Sequence, residues 1–184
     1  MELELKLESE LGAMVAVTVV VLSVFMAITK LKDENIIQAM QHTQVSAVDS
    51  WNEYQAERIK LHVDENDLAA LKLGVAGADP AALSAETKRL SGKLDHYTKA
   101  SDGLAKDAKA DEARYQALDF RHDQFDIADA LCSIALALSA VAALANRRVL
   151  LFIGWGVGGA GVLMGIAGLA SWNIHPEWLA SLFG

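Results

Sequence analysis

Four aspartates with helical spacing are the residues of this sequence best suited to chemistry. Asp119, Asp123, Asp126 and Asp129 follow at intervals of four, three and three, so they share one helical face, and His122 lies beside them. Carboxylates at the mouth of a membrane segment attract cations. In a symmetric oligomer, the copies of each carboxylate form a ring around the axis. These five side chains are a candidate cation mouth. The alternative is a solvated helix face whose last member, Asp129, reaches headgroup water and pairs with a lysine.

A second candidate surface combines aromatic and basic side chains. Trp51, Tyr54, Gln55 and Arg58 share one face of a predicted helix. Because Trp, Tyr and Arg carry much of the binding energy at protein interfaces, the pattern predicts a docking face for a partner. The alternative is that both aromatic rings pack against a tyrosine of a neighbouring helix, while Gln55 and Arg58 fill polar seam positions.

The last apolar run has an unusually small-residue face. Small residues let helix backbones approach closely in lipid. The amount of glycine surface exceeds what one neighbouring helix requires, which favours an interface between copies of the chain. Packing against the other apolar helices of the same chain is the alternative. The glycines predicted to pack are Gly154, Gly158, Gly161, Gly165 and Gly168.

Three apolar runs must position these groups, and each is long enough to cross a bilayer. A backbone in lipid must satisfy its own hydrogen bonds, so these runs are helices. The fold class predicted is an all-α integral membrane protein with three transmembrane helices, and the mean hydropathy of +0.24 agrees with it. The predicted segments are an interfacial lead-in at 1–10, transmembrane helices at 11–31, 127–146 and 149–172, and an interfacial C-terminal foot at 173–184.

Between the first two runs, residues 32–126 predict a long extramembrane helical hairpin that packs as an antiparallel coiled coil. The turn lies near 74–80, where Gly74 stops one helix, Asp79 caps the next and Pro80 takes its first position. Apolar and small residues at spacings of three and four predict one seam in each arm. The first arm's seam is Ile37, Met40, Gln44, Val48, Trp51, Gln55 and Ile59, and the second arm's is Leu83, Thr87, Leu90, Leu94, Tyr97, Ser101, Leu104, Ala108, Asp111, Tyr115 and Leu118, continuing into the second apolar run.

Composition excludes several classes of function. The formal charge of −8 argues against a nucleic-acid partner, which requires clustered basic residues. A single cysteine, Cys132, excludes an intrachain disulfide and zinc sites that need several cysteines. The histidines lack metal-ligand spacing, and no stretch forms a catalytic constellation. We expect no enzyme activity, no cofactor and no resident metal.

The basic residues near the spans give an orientation. Arg147 and Arg148 lie in a short loop, and such loops favour the cytoplasm. That orientation puts the hairpin in the periplasm of a bacterial inner membrane. Lys30 and Lys32, at the other end of the first span, favour the opposite orientation.

Two parts of the sequence carry a resemblance to a known family. They are the segment at residues 47–60, AVDSWNEYQAERIK, and the segment Arg121-His122-Asp123-Gln124-Phe125 with the apolar run and Arg147-Arg148 link that follow it. Together they resemble the DUF4337 family, bacterial three-span membrane proteins labelled as a domain of unknown function. The resemblance implies one span, a helical hairpin and two further spans, and it supplies no chemistry. The acidic N-terminal tail departs from the family pattern, in which His or Lys often precedes the first span.

These observations lead to one main expectation of function and one alternative. The first is a non-enzymatic scaffold or accessory subunit in the lipid bilayer, which assembles into a homo-oligomer or a larger complex through the third span and the hairpin. The alternative is a small homo-oligomeric cation channel or transporter with the acidic mouth described above.

Overall fold

The computed structural model describes residues 2–74 and 79–172, with side chains from residue 10 onward. Within these ranges the protein is all-α and has three helices: α1 (Glu2–Lys72), α2 (Pro80–Leu144) and α3 (Arg148–Ala170). Both long helices are unbroken, as the lack of internal prolines predicts. The predicted foot at 173–184 and residues 75–78 of the predicted turn lie outside the described residues.

The ends of the hairpin helices follow the predicted chemistry. Gly74 has a φ of +92°, a left-handed conformation that glycine adopts without strain, two residues after the last residue of α1. The backbone N–H of Ala81 donates to Asp79 Oδ1 at 3.1 Å, and Pro80 is the first residue of α2. Asp79 is therefore the N-cap. Pro80 lies in the first turn of α2, where backbone N–H groups have no intrahelical acceptor, so the N–H that proline lacks is not needed.

The C-terminal ends of α2 and α3 share one hydrogen-bond pattern. At the end of α3, the N–H of Trp172 donates to the carbonyl of Ala167 at 2.9 Å, and Ser171 has a φ of +56°. At the end of α2, the N–H of Arg147 donates to the carbonyl of Ala142 at 3.1 Å. The left-handed residue there is an asparagine, which tolerates this conformation better than serine does. Both ends are Schellman caps.

Replacing Ser171 by glycine is expected to raise the free energy of unfolding by about 1 kcal/mol, because glycine removes the strain of a left-handed residue with a Cβ. The measurement is the unfolding midpoint in detergent. Ser133→Gly, in the interior of α2, is the matched control and is expected to lower stability by about the same amount. Equal shifts in the two variants would contradict the strain at Ser171.

The chain divides into two compact units, an apolar unit of residues 1–40 and 117–184 and a hairpin unit of residues 41–116. In the apolar unit, the early part of α1 runs antiparallel to the late part of α2. Leu11 packs in one cluster with Ala142, whereas Leu22, further along α1, packs with Cys132, further back on α2. α3 completes the bundle and contributes Leu151 to the first cluster.

The hairpin unit contains two antiparallel stretches, one from α1 and one from α2. Asp64 lies 3.7 Å from Lys93, and nearer the open end of the hairpin Trp51 bonds to Glu112. Every position of the second arm's predicted seam that lies in this unit is buried or half-buried. The fully buried ones are Leu90, Ser101 and Ala108.

The predicted seam of the first arm is wrong in part. Met40 is buried and Ile37 and Trp51 are half-buried, but Gln44, Val48, Gln55 and Ile59 are exposed. Val48 and Ile59 are 52% and 65% exposed, and the buried residues of this arm include Thr43 and Ala47 instead. The buried residues of this arm in the hairpin unit, Thr43, Ala47, Leu61 and Asp64, share one helical face. That face is set about one residue from the predicted one. It includes the large aliphatic Leu61, so side-chain size alone does not decide which residues are buried.

Asp64 is a buried carboxylate in this seam, and its Oδ2 atom makes no hydrogen bond within the described residues. Lys93→Met is therefore expected to lower hairpin stability by about 1 kcal/mol, because it leaves the charge of Asp64 without its counter-ion. Stability is measured by chemical unfolding. Lys88→Met, an exposed lysine of the same helix, is the control. Adding Asp64→Leu to Lys93→Met is expected to restore stability, and a further loss would contradict this account.

Candidate functional site

The strongest cluster of reactive side chains lies in the apolar unit, where α1 and α2 pack side by side. His122 on α2 lies between two carboxylates. Its Nδ1 is 2.7 Å from Asp33 Oδ1 on α1, and its Nε2 is 3.6 Å from Asp126 Oδ2, one turn along its own helix. The cluster therefore links two helices through one imidazole ring.

The geometry favours the protonated form of His122. A neutral imidazole has one N–H and one lone pair, so one of its nitrogens would turn a lone pair toward a carboxylate, whereas the imidazolium donates from both. Burial acts to lower the pKa of His122, but the hydrogen bond to Asp33 and the charges of Asp126, Asp33 and Asp123 outweigh it. The pKa of His122 is raised above its ordinary value.

A cavity of about 190 Å³ adjoins the cluster, and Asp129, predicted as the last member of the cation mouth, lines it. Burial, followed by the charges of neighbouring aspartates, raises the pKa of Asp126, although the charge of His122 acts in the opposite direction. Asp119 and Asp123 are half-buried and are not among the lining residues. The cavity is lined by Thr29, Lys30, Asp33, Ile37, His122, Phe125, Asp126 and Asp129.

The cluster can take up either a proton or a cation. Asp33, His122 and Asp126 each offer one ligand atom, and these atoms lie within 4.8 Å of one another. Carboxylate and imidazole together suit divalent cations such as Zn²⁺ or Mn²⁺. A metal can bind only the deprotonated ring, so it competes with the proton that the hydrogen bonds favour.

Sequence reasoning found His122, Asp126 and Asp129 but missed Asp33. The helical periodicity of α2 identifies groups that share its own face, whereas Asp33 lies 89 residues earlier on a different helix. One signal was available in the sequence. Asp33 is the first carboxylate after the first apolar run, and it directly follows the lysine-containing segment at residues 30–32. In an antiparallel pair of spans, that position meets the start of the second apolar run.

The predicted docking face lies in the hairpin unit, and its members differ in exposure. Trp51 and Tyr54 are half-buried and pack edge to face, with ring centroids 5.4 Å apart. The indole N–H of Trp51 donates to Glu112 Oε1 at 2.8 Å. Arg58 is half-buried, and Gln55 is exposed. Glu112, which sequence reasoning did not select, is the partner that fixes the Trp51 ring.

The five predicted packing glycines of α3 are buried against the other two helices of the same chain. A Cβ on Gly154 would meet the carbonyl of Ala135 at 3.3 Å, and one on Gly165 would meet Phe25. Their faces are therefore occupied and are not available to a second copy. The expectation that these five glycines form an interface between copies is corrected in favour of the intrachain alternative.

Two α2 side chains bind the end of α3, and sequence reasoning missed both. The Nη2 of Arg121 donates to the carbonyl of Gly168 at 3.2 Å, and the Nε2 of Gln124 donates to the carbonyl of Trp172 at 2.8 Å. Carbonyls at a helix C-terminus lack intrahelical partners and carry partial negative charge, so a guanidinium is well suited to them. These bonds anchor α3 beside the His122 cluster.

Comparison with known proteins gives one match. The model of a family described as "Domain of unknown function (DUF4337)" matches residues 11–171, which is most of the chain. Neither the curated proteins nor the solved structures include a match. The resemblance found in the sequence is thereby confirmed.

Proposed function

The chain belongs to the DUF4337 family, and from this premise we propose that it is a non-enzymatic scaffold or accessory subunit of a bacterial inner membrane. The apolar unit anchors the protein in the bilayer, and the hairpin unit, packed as a coiled coil, docks a partner. The observation that carries the proposal is the apolar surface that the three helices leave uncovered.

All three helices are long and apolar enough to cross a membrane. In the most apolar stretch of α1, 17% of the residues are buried within the chain. Val17, Val20 and Val24 are each more than half exposed, and Phe152 and Leu163 of α3 are exposed as well. Exposed apolar side chains in such numbers are typical of contact with lipid or with other subunits.

Charged pairs at both ends of the bundle match the thickness of a bilayer. Arg148 Nη2 lies 3.3 Å from Glu10 Oε2 at one end, and the His122–Asp33 pair lies at the other. Glu10 and Asp33 are 23 residues apart on α1, which corresponds to about 35 Å along a helix. A hydrocarbon core of about 30 Å fits between these pairs, with the charges in the headgroup regions.

Self-association of the third span rests on two other glycines. A Cβ added to Gly156 or to Gly159 would meet nothing within 4 Å, so both glycines face open space on the outside of the bundle. Beside them lies an apolar groove of about 240 Å³, and Trp155 is one of the residues that line it. In lipid, such a small-residue surface next to a groove favours the close approach of a second helix.

The experiment that tests the proposal is the native mass of the complex, extracted gently from its own membrane, with every co-purifying chain identified. A homo-oligomer, or a defined complex with other subunits, supports the scaffold function. Recovery in the soluble fraction, or as a single chain without partners, contradicts it.

The orientation is tested by labelling engineered cysteines in intact cells with a membrane-impermeant maleimide. The parent is Cys132→Ser. Ser91→Cys, exposed on the hairpin unit, is expected to react, and Asn146→Cys, in the link between α2 and α3, is expected to react only after lysis. The reverse pattern would place the hairpin in the cytoplasm.

A second candidate function is passage of cations through a homo-oligomer, favoured by the convergence of Asp33, His122 and Asp126 beside a cavity. Asp129→Asn distinguishes the two functions. Altered cation flux from reconstituted vesicles with unchanged assembly supports a channel, because the variant alters the mouth alone. Lost assembly with no effect on flux indicates that Asp129 has a structural role.

A further inference from the structure

The hairpin unit contains a cavity of about 390 Å³ at the predicted docking face. It lies between the two antiparallel stretches, where the small side chain of Ala47 leaves room beside Trp51. This volume is within the range of sites that bind small molecules or single side chains. The lining residues are Gln44, Ala47, Val48, Trp51, Glu112, Tyr115 and Gln116.

The polar groups of the cavity are held in place before any ligand arrives. The bond from the Trp51 indole N–H to Glu112 Oε1 joins the two arms of the hairpin at 2.8 Å. The rings of Tyr54 and Trp51 form a T-shaped pair, with an angle of 89° between the two planes. A carboxylate accepts several hydrogen bonds, and the indole uses one of these positions on Glu112.

The lining selects for the charge of its occupant. It combines one carboxylate, two carboxamides and two aromatic rings, and it contains no lysine or arginine. Glu112 would repel an anion. A neutral apolar group would displace water from the Glu112 carboxylate without replacing the hydrogen bonds that the water made. A cation on an apolar stem satisfies the carboxylate and lies against aromatic faces that attract positive charge.

We propose that this cavity binds the guanidinium group of an arginine side chain presented by a partner protein. A guanidinium is planar, so it stacks on Trp51 and at the same time donates to Glu112, whereas an ammonium is a hydrated point charge. The proposal rests on the proposed docking function and specifies the chemistry of the partner.

The test is a titration of the full-length protein in detergent, labelled with 5-fluorotryptophan and followed by ¹⁹F NMR. The Trp51 signal is assigned with Trp51→Phe. The probe is N-acetyl-arginine methylamide, and the comparison is N-acetyl-citrulline methylamide, which has nearly the same shape without the charge. Arginine is expected to give a saturable shift of the Trp51 signal, with an affinity at least about threefold above that of citrulline.

Glu112→Gln removes the charge but keeps an acceptor for the Trp51 N–H, so the variant preserves the fold of the cavity. It is expected to reduce the affinity for the arginine probe to that for citrulline. Glu53→Gln, an exposed carboxylate of the same unit outside the cavity, is the matched control and is expected to change nothing. Equal affinities for the two probes, or unchanged binding in Glu112→Gln, would overturn the proposal.

Agmatine and spermidine identify the source of the cation. Binding of either free amine at least tenfold tighter than the arginine probe would assign the cavity to a free organic cation and overturn the partner assignment. Because the titration uses the isolated chain, its result does not depend on whether partners co-purify. If the native-mass experiment finds a complex but the arginine probe gives no shift of the Trp51 signal, this site is refuted. The docking function is then unaffected.

Discussion

Gly161→Ala is expected to lower the free energy of unfolding by about 1–3 kcal/mol, the usual effect of overpacking a close contact. The added Cβ would lie 2.9 Å from Cys132 Sγ, 3.0 Å from Leu131 Cβ and 3.1 Å from the carbonyl oxygen of Ala128. The last contact is with backbone, which a rotamer change cannot relieve. α2 and α3 must therefore move apart, and neighbouring contacts in the bundle are weakened.

Gly159→Ala is the matched control on the same helix. Its Cβ would meet nothing within 4 Å, and alanine favours the helix by about 0.5–1 kcal/mol. Both variants are unfolded in mixed micelles by increasing SDS and followed by circular dichroism. Equal effects of the two substitutions would show that α3 does not pack as described. A change of oligomeric state confined to Gly159→Ala would support self-association through the open face.

The contrast between these two glycines marks a limit of sequence reasoning. The spacing of Gly154, Gly158, Gly161, Gly165 and Gly168 predicts a face on which another helix packs closely, and the structure has that face. The sequence holds no information about whether the neighbour belongs to the same chain. The intrachain partner follows from the short link at Asn146, which returns α3 along α2, and from the small residues that α2 presents to it.

Local chemistry predicted the helices and their ends well. The apolar runs, the Asp79 cap and the proline at the start of α2 are local features, and local rules are sufficient for them. The buried face of the first hairpin arm was misassigned because aliphatic side chains such as Val48 were expected inside. Which face of α1 is buried depends on the rotation of α1 about its axis relative to α2, which is a tertiary property. The buried face combines polar Thr43 and Asp64 with apolar Leu61, so hydropathy is a poor guide to it.

The candidate site was predicted in part for a related reason. Residues on one helix face, such as His122 and Asp126, can be grouped by spacing alone. Asp33 requires the register between two antiparallel helices, which is a tertiary property. Apolar contacts between the two helices, such as that of Leu22 with Ala135, accompany that register, and a pattern of charges does not reveal them.

The stability of the apolar unit is expected to fall as the pH rises through the pKa of His122. The folded-state pKa lies above the ordinary value of 6.5 that applies to the unfolded chain. Protonation therefore stabilises the fold, fully below pH 6.5, and the stabilisation is lost as the pH rises through the raised pKa. A difference of one between the folded and unfolded pKa values corresponds to about 1.4 kcal/mol of stability.

The pKa itself is measured by NMR on protein with ¹³C-labelled histidine, and stability by the unfolding midpoint across the same pH range. Asp33→Asn keeps an acceptor for Nδ1 but removes the charge, so the pKa of His122 is expected to fall. His122→Gln is expected to flatten the pH dependence of stability. His42→Gln, an exposed histidine of the hairpin unit, is the control and is expected to leave it unchanged.

Asp126 adds a pH dependence of the same sign that must be separated from that of His122. The pKa of this carboxyl is raised, so losing its proton destabilises the fold as the pH rises through the acid range. Asp126→Asn removes that contribution. It also removes one of the charges that raise the pKa of His122, so the histidine step is expected to remain but to move to lower pH. If the histidine step survives in His122→Gln, the imidazole does not link α1 to α2. If Zn²⁺ abolishes the step in the wild type but not in Asp126→Asn, the cluster binds a metal in competition with the proton, and Asp126 is one of its ligands.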